Sequence, residues 1–173
     1  MDMGWPLLFI IGAIALMIGP LMMLQPSRRQ QELTALRQMA VQRGIRIHLN
    51  KAIGKHQSVA VYSLPWPTAV KTGYFCLIKQ QFAHDLHFSG YWHWHNDGRP
   101  PNQWLAPLGE ILESLPSDIV GMEVAEDSLG VFWLEKNQQT PLTTIENILK
   151  QSQSRLLNVT AEVETDVTFE PGN

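Results

Sequence analysis

Twenty consecutive residues near the start of the chain, Trp5 to Leu24, carry no charged side chain. At about 1.5 Å per helical residue such a run covers about 30 Å, the thickness of a bilayer's hydrocarbon core. It predicts a transmembrane anchor over residues 1–25. A helix buried in a protein core is rarely apolar around its whole circumference for so long. Pro6 falls in the first turn, where its missing N–H costs nothing, and Pro20 sits near the exit, where it kinks or ends a helix. Gly12 and Gly19 are too far apart to make a Gly-x-x-x-Gly dimerisation face. A cleaved signal peptide would need a basic leading segment and a small-x-small cleavage site; the chain offers Met1-Asp2-Met3-Gly4 before the run and Leu-Met-Met-Leu-Gln-Pro after it. No basic residue precedes the run, whereas Arg28, Arg29 and Arg37 follow it. The positive-inside rule then puts the N-terminus outside and the long C-terminal part in the cytoplasm.

An ordinary domain takes about 100–150 residues, so a chain of 173 holds one domain and an appendage. Residues 26–44 read as a basic juxtamembrane helix. Ser27 with Gln30 matches a capping box, Leu33, Leu36, Ala40 and Val41 share a helical face, and Gly44 stands where a glycine would stop it. Residues 45–157 read as a soluble α+β domain. Ile45 to Leu49 alternates apolar and polar, and Ser58 to Leu64 is rich in Val and Tyr before Pro65-Trp66-Pro67 breaks it. Gly73 to Phe82 and Gly90 to His95 continue the strand pattern. A helix then carries Leu105, Leu108, Leu112 and Leu115, with Pro107 in its first turn. Ile119 to Val124 and Gly130 to Glu135 form a hairpin around Glu126-Asp127-Ser128. Thr140 as N-cap, with Pro141 first in the helix, opens a last helix striped by Leu142, Ile145, Ile148, Leu149 and Leu156. The fold class is α+β: an N-terminal transmembrane helix, then an antiparallel sheet with helices packed on one face. Residues 158–173 are an acidic C-terminal tail or an edge strand, since Val159, Ala161, Val163, Val167 and Phe169 alternate with Thr, Glu and Asp.

Charge is unevenly spread. Residues 25–56 hold seven basic residues and one acid, and residues 106–173 hold three basic residues and twelve acids. A basic stretch beside a membrane exit is drawn to anionic lipid headgroups, which assigns Arg28, Arg29, Arg37 and Arg43 to the membrane surface. The near-neutral total, a net charge of −3, excludes nucleic acid as a partner.

Little in the chain suggests catalysis. The single cysteine, Cys76, rules out an intramolecular disulfide framework and a cysteine-based zinc site, and it suits a reducing compartment. It lies in an apolar strand, where a thiol is inert packing. There is no Gly-x-Ser-x-Gly, no Gly-Lys-Ser/Thr phosphate loop and no Gly-x-Gly-x-x-Gly. No cofactor is expected. Histidines are the one cluster with ligand chemistry: His84, His87, His93 and His95 lie within twelve residues. His93 and His95 share a strand face, but zinc needs three or four convergent ligands, and the same pattern describes an amphipathic strand with Trp92 and Trp94 inward. Trp66 and Trp104 lie on predicted loops and are candidate contact residues for a protein partner, aromatics being enriched at interfaces; packing beneath a loop is the plainer account.

The apolar run followed by Leu24-Gln25-Pro26-Ser27-Arg28-Arg29-Gln30-Gln31 and a polar helix resembles YajC, the small accessory subunit of the bacterial Sec translocase. The likeness covers about the first quarter of the chain. Over its whole length the chain is similar to a group of single-span gammaproteobacterial proteins. The resemblance implies a bacterial inner-membrane protein whose cytoplasmic domain is a non-catalytic accessory module. Its expected partners are the lipid bilayer and another membrane protein or complex, the Sec translocase being the named candidate. The alternative is a tethered metal- or small-ligand-binding module built on His84, His87, His93 and His95.

Overall fold

A computed structural model describes residues 5, 9–14, 27–53, 56–68, 70–80, 88–136 and 140–167. The chain divides into two compact units, Met1–Leu36 and Arg37–Asn173, with the division inside helix α1 (Arg28–Gln42).

In the first unit, Trp5 and residues 9–14 are helical. The rings of Trp5 and Phe9 lie 6.3 Å apart, and Trp5, Phe9, Ile10, Ile11 and Ile14 are each more than half exposed. The remainder of the expected anchor lies outside the described residues. Among the described residues no helix is long and apolar enough to cross a membrane. This corrects the expectation of a single-pass transmembrane helix.

Both ends of α1 follow from its sequence. At its start the Ser27 amide donates to Gln30 Oε1 at 3.0 Å and the Gln30 amide donates to Ser27 Oγ at 3.3 Å, the reciprocal capping box. At its end Gly44 has φ +79°. Its amide bonds the Val41 carbonyl at 3.0 Å and the Ile45 amide bonds the Ala40 carbonyl at 3.1 Å, a Schellman closure that needs a residue at ease in left-handed backbone.

The second unit is built on one antiparallel sheet of six strands, β1 (Arg46–Ile53), β2 (His56–Pro65), β3 (Phe75–Lys79), β4 (Trp92–Trp94), β5 (Ile119–Val124) and β6 (Ser128–Trp133), in spatial order β1-β2-β6-β5-β3-β4. Two neighbouring rows across it show how the sequence sorts its side chains. Tyr62, Val131, Met122, Leu77 and Trp94 pair in one row, and Val61, Phe132, Gly121, Ile78 and His93 in the next. Successive strand residues face opposite ways, so these rows belong to the two faces.

The first face lies under helices α2 (Leu105–Ser114) and α3 (Leu142–Val167), which pack on each other, while α3 also packs on β2 and β6. Leu108, Leu112, Ile145, Leu149 and Leu156 supply the buried helical stripe. The second face holds a smaller cluster of Ile53, Val59, Val61, Cys76, Ile78, Val120 and Phe132. Gly121 leaves room there: a Cβ on it would stand 2.9 Å from Phe132 Cδ2 and 3.2 Å from Ile53 Cδ1. Ile53 belongs to β1, three places from β5 in the sheet, so the sheet curls until the end of β1 lies over β5. Register breaks in β1 between His48 and Lys51 and between Lys51 and Ile53 provide the bend.

Two local expectations need correction. Residues 159–167 are not an edge strand; α3 continues to Val167, and 168–173 lie outside the described residues. Val159, Val163 and Val167 alternate with polar residues, but they are also four apart, the repeat of one helix face. Thr160 anchors this part, accepting from Trp104 Nε1 at 2.9 Å and donating to the Leu156 carbonyl at 2.9 Å. Thr140 does not cap α3 with its side chain. Its hydroxyl donates to Asp118 Oδ1 at 2.7 Å, and the first helical turn closes on the Pro141 carbonyl, which accepts from Ile145 at 3.3 Å.

Candidate binding groove

β2 ends at Pro65 because two prolines flank Trp66, and a proline cannot donate to a strand ladder. The turn that follows is tied down on several sides. The Trp66 amide donates to the Asp127 carbonyl at 3.0 Å and its indole Nε1 donates to the Ala125 carbonyl at 2.8 Å. Gln153 of α3 gives Nε2 to the Leu64 and Pro65 carbonyls at 2.8 and 3.0 Å. The Trp66 ring lies 6.0 Å from that of Trp104, which meets Phe75 edge-on at 6.4 Å. Trp66 is 9% exposed and Trp104 1%. Both are largely buried beneath a loop, as the plainer account expected, and what each leaves open is the wall of a cavity.

The rigid turn walls two adjoining cavities. One is an open trough of about 840 Å³ whose lining includes Trp66, Val70, Lys71 and Gly73 together with Arg46, Glu126 and Asp127. The second, of about 480 Å³, is more enclosed, and Val70, Pro101, Trp104 and Leu157 supply its apolar wall. Both are of the size that small-molecule and peptide side-chain sites take. Val70 and Lys71 line both. Arg46 pairs with Asp127 at 2.8 Å on the wall of the trough. Asp127 is held below the ordinary carboxylate range, first by the Ser128 hydroxyl and then by Arg46.

Among the described residues, several other titratable groups pair with one another. Glu135, which is buried and has φ +50°, takes a two-pronged bond from Arg37, Nε at 3.0 Å and Nη2 at 2.5 Å, and a third from the Tyr62 hydroxyl at 2.6 Å. Glu135 in turn holds the Arg37 guanidinium above its ordinary range. Arg43 pairs with Glu146 at 2.8 Å. Of the four arginines assigned to the membrane surface, Arg37 and Arg43 therefore bind acids of the same domain, while Arg28 and Arg29 are exposed in the first turn of α1. On the other face of the sheet Lys51 pairs with Glu123, which also accepts the Tyr74 hydroxyl at 3.1 Å. Burial, and after it the charge of Glu123, pushes the neighbouring Cys76 thiol up to about 12. It stays protonated near neutral pH and is a poor nucleophile. Asp118 accepts Trp133 Nε1 at 2.7 Å as well as Thr140, joining β6 to the start of α3.

His93 is half-buried in β4, its Nδ1 3.1 Å from the Ile78 carbonyl and its Nε2 3.2 Å from Gln80 Nε2. That arrangement fits a neutral ring donating at Nδ1 and accepting at Nε2, with neither nitrogen open to a metal. His95 is exposed beyond the end of β4, and His84 and His87 lie outside the described residues. Among the described residues no three His, Cys, Asp or Glu side chains converge as a metal site would need.

Sequence reasoning marked the Pro-Trp-Pro turn but chose its tryptophan over Lys71, the residue at the junction of the two cavities. The signal for Lys71 was its position: a lone cation between a strand breaker and a strand. These features define a mixed α+β domain with one curled antiparallel sheet and a groove at the end of β2. Comparison with protein-family models, curated proteins and solved structures gives no significant match.

Proposed function

We propose that the second unit is a non-catalytic interaction module which takes an extended segment of another protein into the trough lined by Trp66, Lys71 and Asp127. The observation that carries this reading is the groove itself. Its floor is fixed by hydrogen bonds from three elements, and its rim offers unspent bonding groups. Among the described residues Lys71 and Glu126 make no ion pair, and the amides of Lys71 and Gly73, two apart, have no hydrogen-bond acceptor. Alternate free amides beside an apolar trough suit main-chain pairing with an extended guest. The self-paired acids and bases, and the inert thiol, favour binding over chemistry.

A photo-crosslinking side chain placed at Lys71 tests the reading, with one at exposed Asn147 as the control. The expected result is one discrete partner crosslinked from position 71 and not from 147, whose purified fragment binds saturably and at least about tenfold more weakly to Lys71→Glu. Equal labelling from the two positions, or binding indifferent to Lys71→Glu, overturns it. Translocase subunits, implied by the YajC resemblance, are the first partners to look for.

A further inference from the structure

We infer that the guest of this groove ends inside it: the partner binds by a free C-terminus, its terminal carboxylate on Lys71 and its last, apolar side chain in the enclosed cavity beside Trp104. The inference rests on the groove reading above and names what the groove selects.

Three observations lead to it. First, the enclosed cavity has donors and no acid. Among the described residues Lys71 is the one charged residue lining it, and the Gln103 side chain, also on its wall, makes no hydrogen bond. The Lys71 ammonium and amide donate and the Gln103 side chain both donates and accepts, so among the described residues donors outnumber acceptors at the junction, as an anion requires. Second, Val70, Pro101, Trp104 and Leu157 form the apolar part of the wall, beside the hydroxyls of Thr68 and Thr160, so the group bearing the anion presents hydrocarbon to them. Third, the open trough shares Val70 and Lys71 with this cavity, is lined also by Trp66, Arg46 and Asp127, and carries both signs of charge. A small carboxylic acid would fill the enclosed cavity and leave the trough idle. A chain lying in the trough and stopping at Lys71 uses both.

The test uses the full chain and a library of N-acetylated hexapeptides, random at five positions and ending in leucine, made as free acids and as C-terminal amides. N-acetyl-leucine serves as the small-carboxylate probe. Retention on immobilised protein is counted by mass spectrometry, for the unaltered chain and for Lys71→Met, an exposed substitution that keeps the hydrocarbon stem. The expected result is free acids retained about tenfold or more over amides, the size of one charge-assisted contact, with the preference gone in Lys71→Met. Equal retention of acids and amides overturns the C-terminal inference and leaves the groove reading standing. N-acetyl-leucine binding as tightly as the hexapeptides overturns it in favour of a small-carboxylate site. Retention of neither peptide form above a bare support overturns the groove reading as well.

Discussion

Two glutamates of this domain sit in the same kind of triad and are held in opposite ways. Glu135 accepts a base from the N-terminal part of the domain, Arg37, and a tyrosine hydroxyl, Tyr62. Glu123 likewise accepts Lys51 and Tyr74. Around Glu135 the base is a planar guanidinium gripping both carboxylate oxygens, the carboxylate side chain is 8% exposed, and the backbone is in the left-handed region. Around Glu123 the base is a lysine whose side chain is 42% exposed and which also stands 5.2 Å from the Phe132 ring centre. A fork fixes direction as well as charge, whereas an ammonium is a point that water can replace. The Arg37 triad thus locks α1, β2 and the end of β6 in one geometry, while the Lys51 triad covers a sheet face that is already apolar.

The sharpest way to break the comparison is to remove each acid. Glu135→Ala leaves the Tyr62 hydroxyl buried without an acceptor and Arg37 without its partner. It should cost about 2–3 kcal/mol in urea unfolding, below the full buried-pair penalty because Arg37 is 29% exposed. Glu123→Ala should cost about 1 kcal/mol or less. Equal losses would mean that the two triads are energetically alike. A finer test exchanges the bases. Arg37→Lys gives up the second prong and should cost about 1 kcal/mol, whereas Lys51→Arg should stay within about 0.5 kcal/mol of the parent.

The smallest effect is in alkali. Burial, then the hydrogen bond to Glu135, raises the Tyr62 hydroxyl well above the usual tyrosine value, and burial, then the charge of Glu123, raises Tyr74. Below about pH 10 both the folded and the unfolded chain keep these protons, and nothing is lost. Above it the unfolded chain releases them while the folded chain does not. Stability then falls by up to about 1.4 kcal/mol per pH unit for each tyrosine that withholds its proton. Tyr62→Phe should flatten this alkaline slope more than Tyr74→Phe, because Tyr74 is 45% exposed. The reverse order would show that the Glu123 side is the tighter one.

The pairing of these triads also explains where sequence reasoning succeeded and failed. Signals within one turn or one strand were legible: Ser27 with Gln30, Gly44, the alternation of β1 and the stripe of α3 lead directly to the elements seen. The basic stretch was read as a lipid-facing surface, but four of its members, Arg37, Arg43, Arg46 and Lys51, reach acids 72 to 103 residues away. Local pattern carries no information about such distances, although a net basic segment facing a net acidic one was a hint that they meet. The tail failed for another reason, since a repeat of four satisfies both a strand's period and a helix's. Lys71 was missed because its importance comes from the two cavities, which exist only after β2, β3 and α3 have come together.

The irregular course of β1 has one more effect. A sheet ends in two rows of unsatisfied amides and carbonyls, each a template on which another chain can add. One border here is β4, three residues long, too short to guide a strand. The other is β1, eight residues long but out of register at two places, so its outer row is never straight enough to copy. The curl that closes the second face therefore also leaves the described sheet without a long, straight border on which another chain could add.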